Sequence, residues 1–262
     1  MKKNYRLSLF FKNPDDFDPS NDHIDFSFIN KLDYIMPILS LYFRPAVHGI
    51  QNIPSNGPAL LVGNHGILGL DAFMIFYKLY KLTGRMPRGL GDYHLFMDPI
   101  SNTFWSKVGA LPGIDEIAAK YLNNGNLVNV YPGGARDAFK GRDGRYKLHW
   151  EKSTGFIKLA MKTNVPIILH MGIGSDDIYN IIGRIPLTGR IFLGNSKYNL
   201  PLVFGLGLLP KPVKLTYYIS EPILLHGDAD DPDVINKNHK MIWNLANTML
   251  ANGLQKRTSM WF

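Results

Sequence analysis

The chain reads as a single α/β domain: a mixed, mostly parallel sheet flanked by helices, with an N-terminal amphipathic helical segment. Three observations predict this. Short apolar runs rich in branched residues alternate with longer stretches of helical spacing. Two of those runs, 60–62 and 127–131, lead straight into glycine-containing turns. The length, 262 residues at 45% hydrophobic and 19% charged, suits one full core. The expected division is a polar arm and amphipathic helix over 1–45 and the main domain over 46–262.

Taken in order, residues 1–25 are punctuated by Pro14, Asp15, Asp16, Asp18, Pro19 and Asp22, which mark turns. From Phe26 to Phe43 the apolar residues Phe28, Ile29, Leu32, Ile35, Met36 and Leu39 recur at mostly helical spacing, and Pro37 should kink or divide that helix. Such a segment either packs on the core or lies in a membrane interface. A short strand is expected at 47–50, a turn at 52–58 and a strand at 59–62. A helix over 72–82 stops at Thr83-Gly84. Residues 88–92 suggest an edge strand, 94–105 a helix interrupted by Pro99, 108–113 a strand and turn, and 115–123 a helix. The strand 127–131 precedes Pro132–Asp137, and a hydrophilic basic loop follows over 140–147. A helix at 153–162, a strand at 165–170, a strand at 214–220 and a helix at 233–251 complete the pattern. Residues 184–213, rich in Gly, Pro, Leu and Phe, fit no single period. In open α/β sheets ligands bind where strands end in loops, so the two glycine turns are expected on one rim.

The formal charge of +8 and pI near 9.4 favour anionic surroundings: a membrane leaflet, nucleic acid or phosphorylated substrates. The cations are spread along the chain and no nucleic-acid module is visible, so no nucleic-acid partner is expected. With no cysteine, disulfides, thiolate metal sites and cysteine nucleophiles are excluded. Met1-Lys2-Lys3 is followed by Lys12, Asp15 and Asp16 before any sufficient apolar core, so no secretory leader is expected. No charge-free apolar run reaches the roughly 18 residues of a spanning helix. The expectation is a cytoplasmic protein, peripheral on a membrane surface.

Two stretches carry chemistry. In the first, Asn64-His65-Gly66 ends a strand and Asp71 opens a helical pattern. His65 and Asp71 suit a general base and its orienter, or equally a turn histidine and a helix N-cap; spacing alone leaves both open. Six residues along one helix would place the two side chains about 240° apart. A dyad therefore requires His65 on the lead-in and Asp71 in the first helical turn. In the second, Tyr131-Pro132-Gly133-Gly134-Ala135-Arg136-Asp137, paired glycines can form an anion-binding nest and Arg136 a planar fork for phosphate or carboxylate. The plainer alternative is a tight turn with a surface Arg–Asp pair; Asp137 would orient Arg136 or begin a helix. No Gly-x-x-x-x-Gly-Lys-Ser/Thr, His-Glu-x-x-His or Gly-x-Ser-x-Gly occurs, so no metal is expected and no covalent nucleophile is evident. Direct attack by a substrate hydroxyl is the simpler chemistry. His170, at an expected strand end, lines the same rim or is a hydrogen-bonded structural histidine. His48, His94, His149, His226 and His239 lack such a context.

Asn64-His65, Asp71, the Tyr131–Asp137 stretch and Val165-Pro166-Ile167-Ile168 together resemble the glycerolipid acyltransferase superfamily, which includes lysophosphatidate acyltransferases. Here five residues separate His65 from Asp71 where four are usual, and Gly133-Gly134 stands where Glu-Gly is usual. Both departures are similar to the branch of diacylglycerol acyltransferase 2, transmembrane-protein-68-like proteins and phytyl-ester synthases, with Asp137 replacing the usual Glu. The resemblance implies transfer of a fatty acyl group from acyl-CoA or acyl-carrier protein, as co-substrate and without other cofactor, to a hydroxyl of a glycerolipid or long-chain alcohol. It implies His65 as base and Asp71 as its orienter. Gly133, Gly134 and Arg136 would bind the polar part of the acceptor or the donor phosphates. Asn64 and Gly66 would shape the substrate-binding turn, Gly66 through a positive φ. A non-catalytic membrane-associated lipid-binding protein of the same fold is the alternative. An esterase is disfavoured by the missing serine elbow.

Overall fold

A computed structural model describes Pro19 and residues 24–96, 99–188 and 199–261. The expected polar arm, 1–25, lies almost wholly outside the described residues. A seven-stranded sheet is built from β1 (Ala46–His48), β2 (Ala59–Gly63), β3 (Arg88–Gly91), β4 (Leu111–Pro112), β5 (Leu127–Val130), β6 (Ile167–Ile173) and β9 (Thr216–Ile219). Its order is β1-β9-β6-β2-β5-β3-β4. All neighbours are parallel except β6 and β9. A separate antiparallel hairpin pairs β7 (Asn180–Arg184) with β8 (Pro201–Phe204).

The central strands explain their own sequences. Every residue of β2 and β6 is buried, so both faces must be apolar, as in parallel sheets covered on two sides. Leu60, Val62, Ile167 and Leu169 face one cluster, with α5 (Asp115–Asn123), α7 (Gly155–Thr163) and α8 (Pro232–Gln255). Ala59, Leu61 and Ile168 face the other, with α2 (Met36–Phe43) and α3 (Leu70–Thr83). Alternate residues of one strand thus seed two cores. Asp231 caps α8 by accepting from the Asp233 N–H at 2.9 Å, with Pro232 in the first turn where a missing N–H costs nothing.

The N-terminal helical segment divides as Pro37 requires. α1 (Phe26–Lys31) and a 3-10 turn (Leu32–Tyr34) precede α2, and Pro37 sits in the first turn of α2. Ile29, Met36 and Phe43 pack inward, whereas Tyr34, Ile35, Ile38 and Leu41 are exposed. Between β3 and β4 runs α4 (Pro99–Lys107).

Several expectations shift. β3 lies between β5 and β4 rather than at the edge. β6 continues three residues past His170, because Gly172 and Ile173 pair with Tyr217 and Thr216 of β9. The 140–147 loop is not uniformly solvated: Lys140 is buried with its Nζ 2.9 Å from Asp176. Part of the unassigned 184–213 stretch is β8 and a tight turn, with 189–198 outside the described residues. Among the described residues, no helix is long and apolar enough to cross a membrane.

Candidate active site

The strand end of β2 is built for close approach. Gly63 pairs with His170, and a β-carbon at Gly63 would lie 2.3 Å from the His170 ring. Asn64 then ties the turn to β6: its Nδ2 donates to the Gly172 carbonyl at 2.9 Å, and its Oδ1 accepts from the Gly172 N–H at 2.7 Å. That spends the buried Asn64 amide on the scaffold, so Asn64 positions the turn. Gly66 is buried as well, and its φ of −94° corrects the expected positive value. Glycine is required there because a side chain would meet the Ser175 carbonyl at 2.7 Å. The left-handed residue is Gly69, φ 68°, which closes a 3-10 turn (Ile67–Gly69) and precedes α3.

That turn takes up the extra residue between His65 and Asp71. Asp71 is the second residue of α3, and its carboxylate folds back onto the lead-in. Its Oδ2 lies 3.4 Å from His65 Nδ1 and accepts the Gly66 N–H at 3.1 Å. Gly69, not Asp71, occupies the N-cap position, so the cap alternative falls. Asp71 is 2% exposed, and the Tyr217 hydroxyl donates to its main-chain carbonyl at 2.8 Å. Burial opposes ionisation of Asp71, but the adjacent His65 and the Gly66 N–H outweigh it and hold the carboxyl below its ordinary pKa. A carboxylate can only accept, so His65 carries its proton on Nδ1 and leaves Nε2 as the basic atom. The His65 side chain stays 20% exposed.

An aromatic layer supports this pair. The Tyr131 ring stacks on the His65 imidazole at 4.2 Å and 12°. His170 meets the Tyr131 ring edge-to-face at 5.7 Å, and its Nε2 donates to Asn129 Oδ1 at 2.6 Å. Burial pushes the His170 pKa down to about 4, keeping it neutral. It is therefore a buried, hydrogen-bonded residue in the middle of a strand and does not line the rim.

The second turn follows β5, which runs parallel to β2 in the register Val62 to Val130. The Gly134 N–H donates to the Tyr131 carbonyl at 2.9 Å. Gly134 has φ 51° and ψ −133°, a conformation open essentially to glycine. The N–H groups of Arg136 and Asp137 close on Gly133 and Gly134 carbonyls at 3.1 Å. The turn thus uses much of its own backbone. A β-carbon at Gly133 would sit 2.0 Å from the Asp137 carboxyl carbon.

Asp137, on the short helix α6 (Ala135–Ala138), neither orients Arg136 nor faces solvent. It is 0% exposed and accepts the His149 N–H at 2.9 Å, His149 Nδ1 at 3.0 Å and Trp150 Nε1 at 2.9 Å. Arg136 points outward, with Nη2 donating to Ser153 Oγ at 3.0 Å, and Ser153 donates onward to the Pro132 carbonyl at 2.7 Å. Beside it is a cleft of about 310 Å³ lined by Arg136, Lys140, His149 and Arg184, with Ala135, Gly141 and Gly144. His65 is not among its lining residues, but α6 packs against the Ile67–Gly69 turn, so one short helix links cleft and dyad.

Sequence reasoning missed Tyr131, His149, Ser153 and Arg184. Tyr131 carried a signal, its place directly before the Pro-Gly-Gly turn on a strand beside β2. The others are joined to the site only by contacts distant in sequence.

The acyltransferase family model matches residues 44–169, from the end of α2 into β6. This segment is an acyltransferase-family domain. Curated relatives include an uncharacterised protein of Mycobacterium tuberculosis, 32% identical over 215 residues, covering 76% of this chain and 60% of that one. A human protein named DGAT1/2-independent enzyme synthesizing storage lipids is 30% identical over 177 residues, 68% of this chain and 53% of its own length. The chloroplastic phytyl ester synthase 1 of Arabidopsis thaliana is 29% identical over 242 residues, 80% of this chain and 34% of its own. The chain therefore spans between about a third and three-fifths of these relatives. Among solved structures, the 1-acyl-sn-glycerophosphate acyltransferase of Thermotoga maritima aligns at TM-score 0.49 and 16% identity, over 83% of this chain and 81% of that one.

Proposed function

We propose that this chain is an O-acyltransferase, moving a fatty acyl group from an acyl thioester to a hydroxyl of a lipid acceptor presented at a membrane surface. The observation that carries the reading is the approach of His65 Nδ1 to the buried Asp71 carboxylate at 3.4 Å, on a turn within an acyltransferase-family segment. His65 Nε2 removes the proton from the acceptor hydroxyl as its oxygen attacks the thioester carbonyl carbon. Asp71 keeps the Nδ1 proton in place and stabilises the imidazolium. The tetrahedral oxyanion collapses, the carbon–sulfur bond breaks, and the imidazolium proton passes to the leaving thiolate. The 3.4 Å separation is long for a hydrogen bond, as is common before substrate tightens a site.

Arg136 and Arg184, at the cleft beside α6, suit the phosphates of acyl-CoA or of the carrier-protein prosthetic arm. The names of the storage-lipid enzyme and the phytyl ester synthase favour a neutral glycerolipid or a long-chain alcohol as acceptor. The test is incubation of purified protein with labelled acyl-CoA or acyl-carrier protein and a panel of lysophospholipid, diacylglycerol and long-chain alcohol, followed by lipid separation. Labelled product that disappears in His65→Ala, with unchanged circular dichroism, is the expected result. A folded His65→Ala variant with full activity sinks the mechanism.

A further inference from the structure

The hairpin of β7 and β8 breaks the usual rule for a sheet covered on one side. Along β8, Leu202 and Phe204 are exposed while Pro201 and Val203 are half-buried. Val203 and its register partner Ile181 pack on the core beneath. An antiparallel hairpin with one face on the core should alternate apolar inward and polar outward. Here the outward residues are Ile182, 69% exposed, with Leu202 and Phe204.

The following turn repeats the pattern on a rigid frame. Leu206 and Leu209 exchange backbone hydrogen bonds at 2.8 and 3.2 Å, and the Tyr179 hydroxyl anchors the Leu208 carbonyl at 3.0 Å. A side chain at Gly205 would strike the Leu209 carbonyl at 2.1 Å, so the turn is tightly built. It nonetheless holds Leu206, Leu208 and Leu209 out, Leu208 at 87% exposed. The apolar surface continues onto α2, where the Tyr42 hydroxyl donates to the Pro210 carbonyl and Ile38 and Leu41 are exposed.

Cations outnumber carboxylates in the surroundings, although Arg145 is already paired with Asp177 at 3.4 Å. Lys211 Nζ, just past the turn, donates to Asn180 at the start of β7 at 3.1 Å, and Arg145 bonds the same oxygen. Burial and the Arg145 and Arg142 charges pull the Lys211 ammonium pKa down, against Asp177. Arg184, at the far end of β7, lines the cleft beside the candidate site. A built apolar ridge edged by cations, with one strand running from it to the cleft, has the chemistry of an interfacial anchor. A protein partner of ordinary surface would not need both the leucine ridge and the positive rim.

We propose that the β7–β8 hairpin and the Leu206–Leu209 turn form the face that docks on an anionic lipid bilayer, inserting the leucines below the headgroups and holding the candidate site beside the membrane that supplies the acceptor. This deepens the acyltransferase reading by naming the surface from which its substrate comes, but the docking is measured without catalysis.

The test is co-sedimentation of the full chain with phosphatidylcholine vesicles, with and without phosphatidylglycerol, at low and high salt. Binding should require phosphatidylglycerol and weaken as salt screens the rim. Leu206→Ser/Leu208→Ser should cut vesicle affinity roughly tenfold or more. Leu208→Ser alone, at a largely exposed tip, should give a smaller loss with an unchanged melting curve. Ile100→Ser, exposed on α4, and His65→Ala should bind as the parent does. Absence of vesicle binding, an equal loss in Ile100→Ser, or undiminished binding by the double variant each overturns the proposal. So does self-association on light scattering that Leu208→Ser abolishes, since the ridge would then face a second copy. Vesicle binding without any acyl transfer leaves the docking face standing and removes the enzymatic reading instead.

Discussion

The two turns at the strand ends of β2 and β5 contain the same parts, yet the structure uses them differently. Each has two glycines and a buried aspartate that meets a histidine Nδ1: 3.4 Å for Asp71 and His65, and 3.0 Å for Asp137 and His149, the latter histidine coming from a segment beyond the turn. Asp137 has both carboxylate oxygens filled, by His149 and by the Trp150 indole, and a glycine shaped around it. It clamps the 149–150 segment to the turn. Asp71 is buried on a helix start, with one oxygen shared by His65 and Gly66 and the other, Oδ1, without a hydrogen-bond partner. The tighter pair holds the structure together; the looser one leaves a buried carboxylate oxygen uncommitted, which is compatible with the proposed base and orienter. A His–Asp distance alone therefore does not identify a catalytic base.

The widest separation between the two pairs should be seen on removing each histidine. His65→Ala should lower acyl transfer by about 10²–10⁴-fold, the usual worth of a positioned general base. His149→Ala should leave turnover within a few-fold and act through KM, because His149 lines the cleft. Steady-state kinetics on both variants decides this, and a larger turnover defect in His149→Ala would reverse the assignment of the two pairs.

Stability should rank the aspartates the other way. Asp137→Ala strips the Trp150 and His149 donors of their buried acceptor, and such a loss costs about 3 kcal/mol. Asp71→Asn keeps the shape and an acceptor, and should unfold within about 1 kcal/mol of the parent while losing activity. Urea denaturation of both variants, read beside their activity, tests that inversion.

How much of this was legible in the sequence follows from the range of each contact. β2 and α5 were readable because local apolar pattern fixes them and Asn124-Gly125 ends α5. The His65–Asp71 geometry was readable because helical periodicity forced one residue off the helix. The reason for Gly66 was not, since the atom it avoids belongs to Ser175, far along the chain. The same holds for Asp137, whose indole partner lies on the far side of a loop. His170 misled because Val165–His170 looks complete, whereas β9 pairing extends the strand to Ile173. The β7–β8 hairpin gave no period because both of its faces are apolar, which erases the alternation that marks a strand.

His170 underlies both turns, touching Tyr131 and packed against Gly63. Its folded pKa of about 4 lies below the ordinary 6.5, so the unfolded chain binds the proton first as pH falls. Stability from this group is complete above about pH 6.5 and is lost progressively down to about pH 4, reaching a loss on the order of 2 kcal/mol at pH 5. His170→Gln should flatten that slope in urea titrations at pH 7 and pH 5. An unchanged slope would show that another group carries the acid sensitivity and would detach His170 from both turns.

Tyr131 belongs to the second turn by sequence and to the first by contact, so it tests whether the two act as one site. Its ring lies flat on the His65 imidazole, and an aromatic face stabilises a neighbouring cation by roughly 0.5–2 kcal/mol. In the proposed mechanism His65 gains charge as it takes the acceptor proton, so that stabilisation would fall on the transition state rather than on bound substrate. Tyr131→Leu should therefore lower kcat by about tenfold with little change in KM. Tyr131→Phe keeps the face and should recover most of the rate. If Phe and Leu lose activity equally, the buried hydroxyl and not the ring is what matters. If neither changes kcat, the stacking only fills space between two turns that work independently.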